Sequence, residues 1–304
     1  MKKHTLPVLL LLAGCHDFEG ELGQLGFSSS LITRPGQPWT PAQPIVAETM
    51  VEVAAVTSLV HDTDEPPAVE ASVSEHLITL DPETGHVAFT GEAGDAGRVQ
   101  FWGEATDRFS VRFSEPRAAV LYPLASDAAI DTLLIQDGGS AALAAEIHDA
   151  WGTPQGYAPE LLMVTGCGSR LDSSGILILS PDTDCTLEVS LDSLPLLSTA
   201  VTVLPTADID QLELTAEHSE TESGRFVQVS VRAWTVDGVE VHGLQPEWST
   251  RGGALRWSEA AEAILQLDED GSWPVLTAAL GEQEWVFSAD QLRQPETTSI
   301  SRAP

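Results

Sequence analysis

The chain has 304 residues, of which 46 are acidic and 14 basic, for a formal charge of −32. Both lysines, Lys2 and Lys3, stand at the amino terminus, so the rest of the chain carries arginine as its only permanent cation. That balance excludes nucleic-acid binding, which needs clustered Lys and Arg to displace counterions, and it disfavours lateral contact with anionic headgroups. The length suggests two or three domains, and 19 Pro with 24 Gly imply many turns. Asparagine is absent, so turns fall to Gly, Asp and Pro.

Residues 1–14 open with Met1-Lys2-Lys3-His4, followed by an apolar run from Leu6 to Leu12. The run is shorter than the ~20 apolar residues a bilayer span needs and suits the core of a signal peptide. Its ending, Leu12-Ala13-Gly14-Cys15, resembles the lipobox of bacterial lipoproteins. The resemblance covers the first fifteen residues only. It implies a diacylglycerol on the Cys15 thiol, cleavage before Cys15 and acylation of the new amino terminus. The membrane would then be a partner through the lipid on Cys15. At ~0.8 kcal/mol per buried CH₂, several acyl chains hold a protein to a membrane permanently. His16 follows Cys15, and Asp17 comes one place later. In such lipoproteins an Asp directly after the Cys retains the protein in the inner membrane, so the resemblance implies the cell envelope and its outer membrane.

Residues 15–26 contain Gly20, Gly23 and Gly26 and read as a flexible tether. A first β-sandwich domain is expected over 27–123. Met50 to Val56, Val69 to Val73, His86 to Gly91, Gly97 to Trp102 and Phe109 to Phe113 are its candidate strands. Phe109, Val111 and Phe113 share one face, with Ser110 and Arg112 on the other, as a half-buried strand requires. Short strands punctuated by Gly, Pro and Asp point to a sandwich.

The remainder holds an internal repeat. Ala119 to Pro123 leads to Ile130-Asp131, and Ala200 to Pro205 leads to Ile209-Asp210. Gly152, Gly156, Pro159 and Gly166 are matched by Gly238, Gly243, Pro246 and Gly252 at offsets of 86 or 87. Domains are accordingly expected over 124–206 and 207–293. The layout resembles the bacterial Ig-like domains of the Big and invasin families, best at Val236-Asp237-Gly238 and Leu276-Thr277-Ala278. The first copy departs from it, with Asp149-Ala150-Trp151-Gly152 at the turn. The expected fold is all-β, with tandem Ig-like β-sandwich domains. Trp234 and Trp248 are expected to fill cores, the alternative being an exposed aromatic platform for carbohydrate. Ser258 to Leu267 is the best helix candidate, although a crossover and a strand fit as well. Residues 294–304 read as a polar tail.

Cys167 and Cys185 lie close together in a chain expected to be exported, which favours a disulfide. The alternatives are free thiols or half a metal site; the lack of a C-x-x-C or an intervening histidine argues against zinc. No His-Glu-x-x-His, Gly-x-Ser-x-Gly or phosphate-binding loop occurs. Catalytic residues, metal and cofactor are therefore all expected to be none, and the chain is not expected to be an enzyme. His61-Asp62, Glu75-His76, His148-Asp149 and Glu217-His218 are sequence neighbours, which on a strand point to opposite faces. Asp62-Thr63-Asp64-Glu65, Asp268-Glu269-Asp270-Gly271 and the weaker Asp182-Thr183-Asp184 invite a calcium test. None supplies a full set of six to eight oxygens, and solvated turn acids are the base reading. The expected function is a structural spacer, adhesion or interaction module with an envelope protein or polysaccharide as partner. The alternatives are an accessory subunit or carbohydrate-binding protein and, less favoured, an enzyme with a loop-built site.

Overall fold

The computed structural model describes residues 25–29, 31–47, 52–57, 68–71, 77–80, 86–102, 106–124, 126–221, 224–268, 272–293 and 298–301. The first domain carries β1 (Leu25–Ser29), β2 (Ile32–Arg34), β3 (Gln37–Pro38), β4 (Ile45–Val46) and β5 (Glu52–Thr57). It continues with β6 (Ala68–Ala71), β7 (Ile78–Leu80), β8 (His86–Phe89), β9 (Ala96–Trp102) and β10 (Thr106–Ser114). The second domain comprises β11 (Ala118–Pro123), β12 (Leu133–Gln136), β13 (Ala141–His148), β14 (Leu162–Thr165), β15 (Arg170–Leu171), β16 (Leu177–Leu179), β17 (Cys185–Leu191) and β18 (Leu194–Leu204). The third contains β19 (Ile209–Thr221), β20 (Gly224–Thr235), β21 (Glu240–His242), β22 (Glu247–Arg251), β23 (Ala254–Glu259) and β24 (Glu262–Gln266). It ends with β25 (Val275–Leu280), β26 (Gln283–Phe287), the short helix α1 (Ala289–Arg293) and β27 (Thr298–Ser301).

One strand order recurs three times. In the first domain, one sheet runs β1-β5-β8-β7 and the other β4-β10-β9-β6. In the second, the sheets run β11-β13-β16-β15 and β14-β17-β18-β12. In the third, β19, β20, β24 and β23 pair in that order, opposite β22-β25-β26. Labelled A to G, each domain has A-B-E-D facing C-F-G, the arrangement of an immunoglobulin-type sandwich. The chain is all-β with tandem Ig-like sandwiches. The first two domains add a split first strand, whose second half pairs parallel with G: β4 on β10 and β12 on β18. The third keeps a single, unbroken first strand, β19.

Period-two alternation builds these sheets. In β17, Leu187, Val189 and Leu191 are buried while Thr186 and Glu188 face water; in β20, Val227, Val229, Val231 and Ala233 are buried. In β10, Val111 and Phe113 point inward and Ser110 and Arg112 outward. Burial of such rows stabilises the sandwich by roughly 1.5–3 kcal/mol per large apolar side chain.

Four expectations change. Ala118–Pro123 pairs with β13 along its whole length, so the boundary expected after Pro123 falls one strand late. Ala119 to Pro123 opens a domain, whereas Ala200 to Leu204 closes one at the end of β18; the two stretches are therefore not copies. The glycine-based part of the repeat does align structurally, from β13 and β20 onward. Ser258 to Leu267 is not helical: β23 and β24 form a hairpin turned at Ala260, with φ 47°. The alternation that decides it is Ala263, Leu265 and Leu267, all buried. Within the expected tail, Thr298–Ser301 pairs antiparallel with β19, using the hydrogen-bonding edge that the strand leaves open.

Candidate functional site

The domains are joined by strand pairing as well as by short connections. At the first junction, Val46 N donates to Gly156 O (2.9 Å) and Gly156 N to Pro44 O (2.8 Å). Ile32 and Tyr157 exchange both backbone hydrogen bonds, at 3.0 and 2.9 Å. Thus β4, already paired with β10, takes the B–C segment of the next domain on its other side. At the second junction β12, already paired with β18, does the same for β21, with Leu134 opposite Val241 and Ile135 opposite His242. Both pairings are parallel. The cores interlock accordingly. Val46 belongs to the second domain's core and Ile32 packs on it, while Leu134 and Leu204 pack on the third.

Different side chains fill the two junctions. At the first, Trp39 is 2% exposed and its Nε1–H donates to Gln43 O at 3.0 Å. Its indole lies so close to Gly156 that a Cβ there would fall 2.3 Å from Cδ1. The Tyr157 hydroxyl donates to Ala145 O at 2.7 Å, and burial, followed by the Glu146 charge, holds its pKa above the usual phenol range. Arg34 reaches across from β2, pairs with Asp127 and lies 4.7 Å over the Tyr122 ring. Tyr122 donates to Glu146 Oε1 (3.2 Å), which also meets His148 Nε2 at 2.6 Å. Burial first, and Glu146 second, raise the Tyr122 pKa. At the second junction backbones meet directly: a Cβ on Gly139 would lie 2.2 Å from Gly243 O. Buried Gln136 donates to Thr206 Oγ1 (3.3 Å) and accepts from Gln245 N (3.0 Å).

Beside the first junction is a cleft of about 370 Å³. Asp95, Arg112 and Phe113 of the first domain line it, with Asp149, Trp151 and Thr153 of the second. The turn that presents Trp151 is held by Asp149, whose Oδ1 accepts from Trp151 N and Thr153 N, both at 2.9 Å. The corresponding turn of the third domain uses Thr235 Oγ1 for one bond, from Val239 N at 3.3 Å. Trp151 is 84% exposed. Arg112 donates to Ala42 O at 2.8 Å, and Asp95 Oδ2 accepts from Glu92 N at 2.9 Å. The cleft therefore combines an aromatic face with carboxylates and a guanidinium on anchored backbone.

The residues singled out in the sequence are dispersed. Cys15 lies outside the described residues, as do the acids from Asp62 to Glu65, the pairs His61-Asp62 and Glu75-His76, and Glu269 to Gly271. Cys167 and Cys185 are joined, with their Cα atoms 5.5 Å apart; the bridge ties the C–D turn to the start of β17. Cys167 takes φ 56° there, a conformation the third domain gives to Gly253 (φ 66°) in a turn two residues shorter. His148 and Asp149 diverge as strand neighbours do, one toward Glu146 and the other into the turn. His218 Nε2 meets Leu292 O at 2.8 Å and its ring lies tilted against Trp273, centroids 5.0 Å apart, while Glu217 faces water. Asp268 accepts from Gly253 N and Ser272 Oγ, and Asp184 from Val203 N: both acids serve as turn acceptors. Trp234 and Trp248 are half-buried; the buried tryptophan of the third domain is Trp285, whose Nε1–H has no partner among the described residues. Trp39 and Trp151 were not legible as site residues from composition or motif alone. For Trp151 a signal existed: an aromatic inside a four-residue Asp-x-x-Gly turn has no core to enter.

No protein-family model matches the chain, and no curated protein matches it. Among solved structures it is similar to domains 4–9 of the surface layer protein SbsC, at 12% identity and TM-score 0.29, over 84% of this chain and 42% of that one. It is also similar to FdeC, an Escherichia coli adhesin, at 13% identity and TM-score 0.26, over 86% of this chain and 95% of that one. Invasin, a bacterial integrin-binding protein, is a third, at 14% identity and TM-score 0.24, over 91% of this chain and 60% of that one. The chain thus spans less than half of the SbsC fragment. The assignment of the fold rests on the strand order described above.

Proposed function

We propose that the chain is a stalk of the bacterial cell envelope, held to the outer membrane by a lipid on Cys15 and serving as a structural spacer and interaction module. It is read as a non-enzyme whose partner is an envelope protein or a polysaccharide. The observation that carries the spacer reading is the repeated docking strand. At both junctions a strand belonging to one domain is hydrogen-bonded to the next, so the domains are fixed to each other by sheet and core. A flexible string of domains has no use for such pairing; an array that sets a distance does. The lipobox resemblance and the tether expected from Cys15, which stops short of 26 because Leu25 and Gly26 already belong to β1, supply the anchor.

Small-angle scattering on the protein released from its anchor tests the spacer: one narrow distribution of interatomic distances is expected. A broad distribution, as from freely jointed domains, would refute it. The anchor is tested separately by Cys15→Ser, which should release or mislocalise the protein. A variant still acylated and membrane-bound would end the lipoprotein reading.

A further inference from the structure

The cleft beside the first junction has a composition that the spacer role does not require. Trp151, at 84% exposed, contributes almost nothing to either sandwich core. Its counterpart in the third domain's turn is Asp237, an ordinary turn residue. Trp151 is also presented on a fixed backbone, since Asp149 Oδ1 holds the turn through two N–H bonds. From the facing domain, Arg112 is steadied by Ala42 O and Asp95 by its own turn. The walls thus come from two domains whose relation is set by the β4–Gly156 pairing. The volume of about 370 Å³ falls at the low end of the roughly 300–1,000 Å³ of small-ligand pockets.

We infer that this cleft is a saccharide subsite, with Trp151 as the stacking platform and Arg112, Asp95 and Thr153 as hydroxyl-directed groups. The inference rests on the interaction-module reading and names its partner class. A pyranose offers an apolar C–H face to an indole and a rim of hydroxyls that donate to carboxylates and accept from a guanidinium; the cleft provides both. A purely apolar peptide would desolvate the charged groups without offering them new hydrogen bonds. An organic cation would suit Trp151 and the carboxylates but would meet Arg112. A polyanion would meet Asp95 and Asp149 in a strongly acidic chain.

The test is titration of the full chain with maltotriose, cellotriose and tri-N-acetylchitotriose, read by tryptophan fluorescence and saturation-transfer NMR. At least one trisaccharide should bind saturably, with affinity falling about tenfold or more in Trp151→Ala. Affinity should be unchanged in Trp257→Ala, a control at the other exposed tryptophan of the described residues, in β23. Failure of all three sugars to bind would overturn the inference, as would binding that survives Trp151→Ala. Binding of choline in their place, lost in Trp151→Ala, would overturn it in favour of a cation site. None of these outcomes touches the scattering test, because Trp151 takes no part in the strand pairing.

Discussion

The two junctions use the same backbone device and fill it with opposite materials. At the first, one glycine, Gly156, makes room for a buried indole, and Arg34 crosses to Asp127 and the Tyr122 ring. At the second, two glycines bring backbones together and a buried amide, Gln136, satisfies groups from both domains. The strand order therefore dictates where domains meet, while side chains decide what the contact resists. Large apolar volume makes the first junction sensitive to truncation. Close backbone approach and a histidine within the docked strand make the second sensitive to volume and to protons.

The largest effect should come from Trp39→Ala, which empties the first junction. Removing a fully buried aromatic costs about 3–5 kcal/mol. Denaturant melts should show the first domain unfolding much earlier, with the third domain's transition unmoved. A shift shared equally by all transitions would contradict the separation of the junctions. Next is the disulfide. It closes a separation of 18 residues, worth about 3 kcal/mol in the chain-entropy model. Cys185 pairs with Val201, and Val201 pairs with Leu133 of β12. Cys167→Ser with Cys185→Ser should therefore loosen the second junction in preference to the first. Hydrogen exchange at β21 against exchange at Gly156 reads the difference.

The smallest effect is a pH dependence at the second junction. Burial, partly opposed by Glu240, lowers the pKa of His242 below its ordinary 6.5, with Arg232 adding to the shift. Burial pushes Glu240 upward, but its bidentate contact with Arg232 prevails and lowers its pKa. Below about pH 6.5 the unfolded chain takes up a proton at His242 that the folded chain resists, so stability falls as pH falls. The third domain's melting temperature should drop between neutral and mildly acid pH, and His242→Gln should flatten that slope.

The sandwich class was legible because alternation such as Leu187, Val189, Leu191 survives in any environment that buries one face. The turn glycines were legible as a repeat for a similar reason: Gly152 and Gly238 both require positive φ. The boundary was not. Ala119 to Pro123 and Ala200 to Pro205 are both apolar strands ending in proline, and only pairing distinguishes an opening strand from a closing one. The third domain's unsplit β19 removed the counterpart that would have exposed the mismatch. Docking strands of two and four residues, β4 and β12, are too short to carry periodicity. Their role depends on partners more than a hundred residues away in sequence, as Ile45 and Gly156 illustrate. Alanine richness around Ser258 to Leu267 suggested a helix because propensity is local, whereas the burial of Ala263 and Leu265 is tertiary. The cleft was invisible for the same reason: Arg112 and Trp151 face one another only after two domains have docked.

Because Val46 sits in the second core and Leu134 and Leu204 cover the third, the unit that can be cut out intact is not the domain. A fragment starting at Ile209 leaves behind part of its own roof, and one starting at Ala118 leaves behind Ile32 and Val46. Any shortened, lengthened or shuffled version of this array must therefore carry the preceding docking strand with each sandwich. Duplication of a bare sandwich would give a module with an open wound at its upstream end.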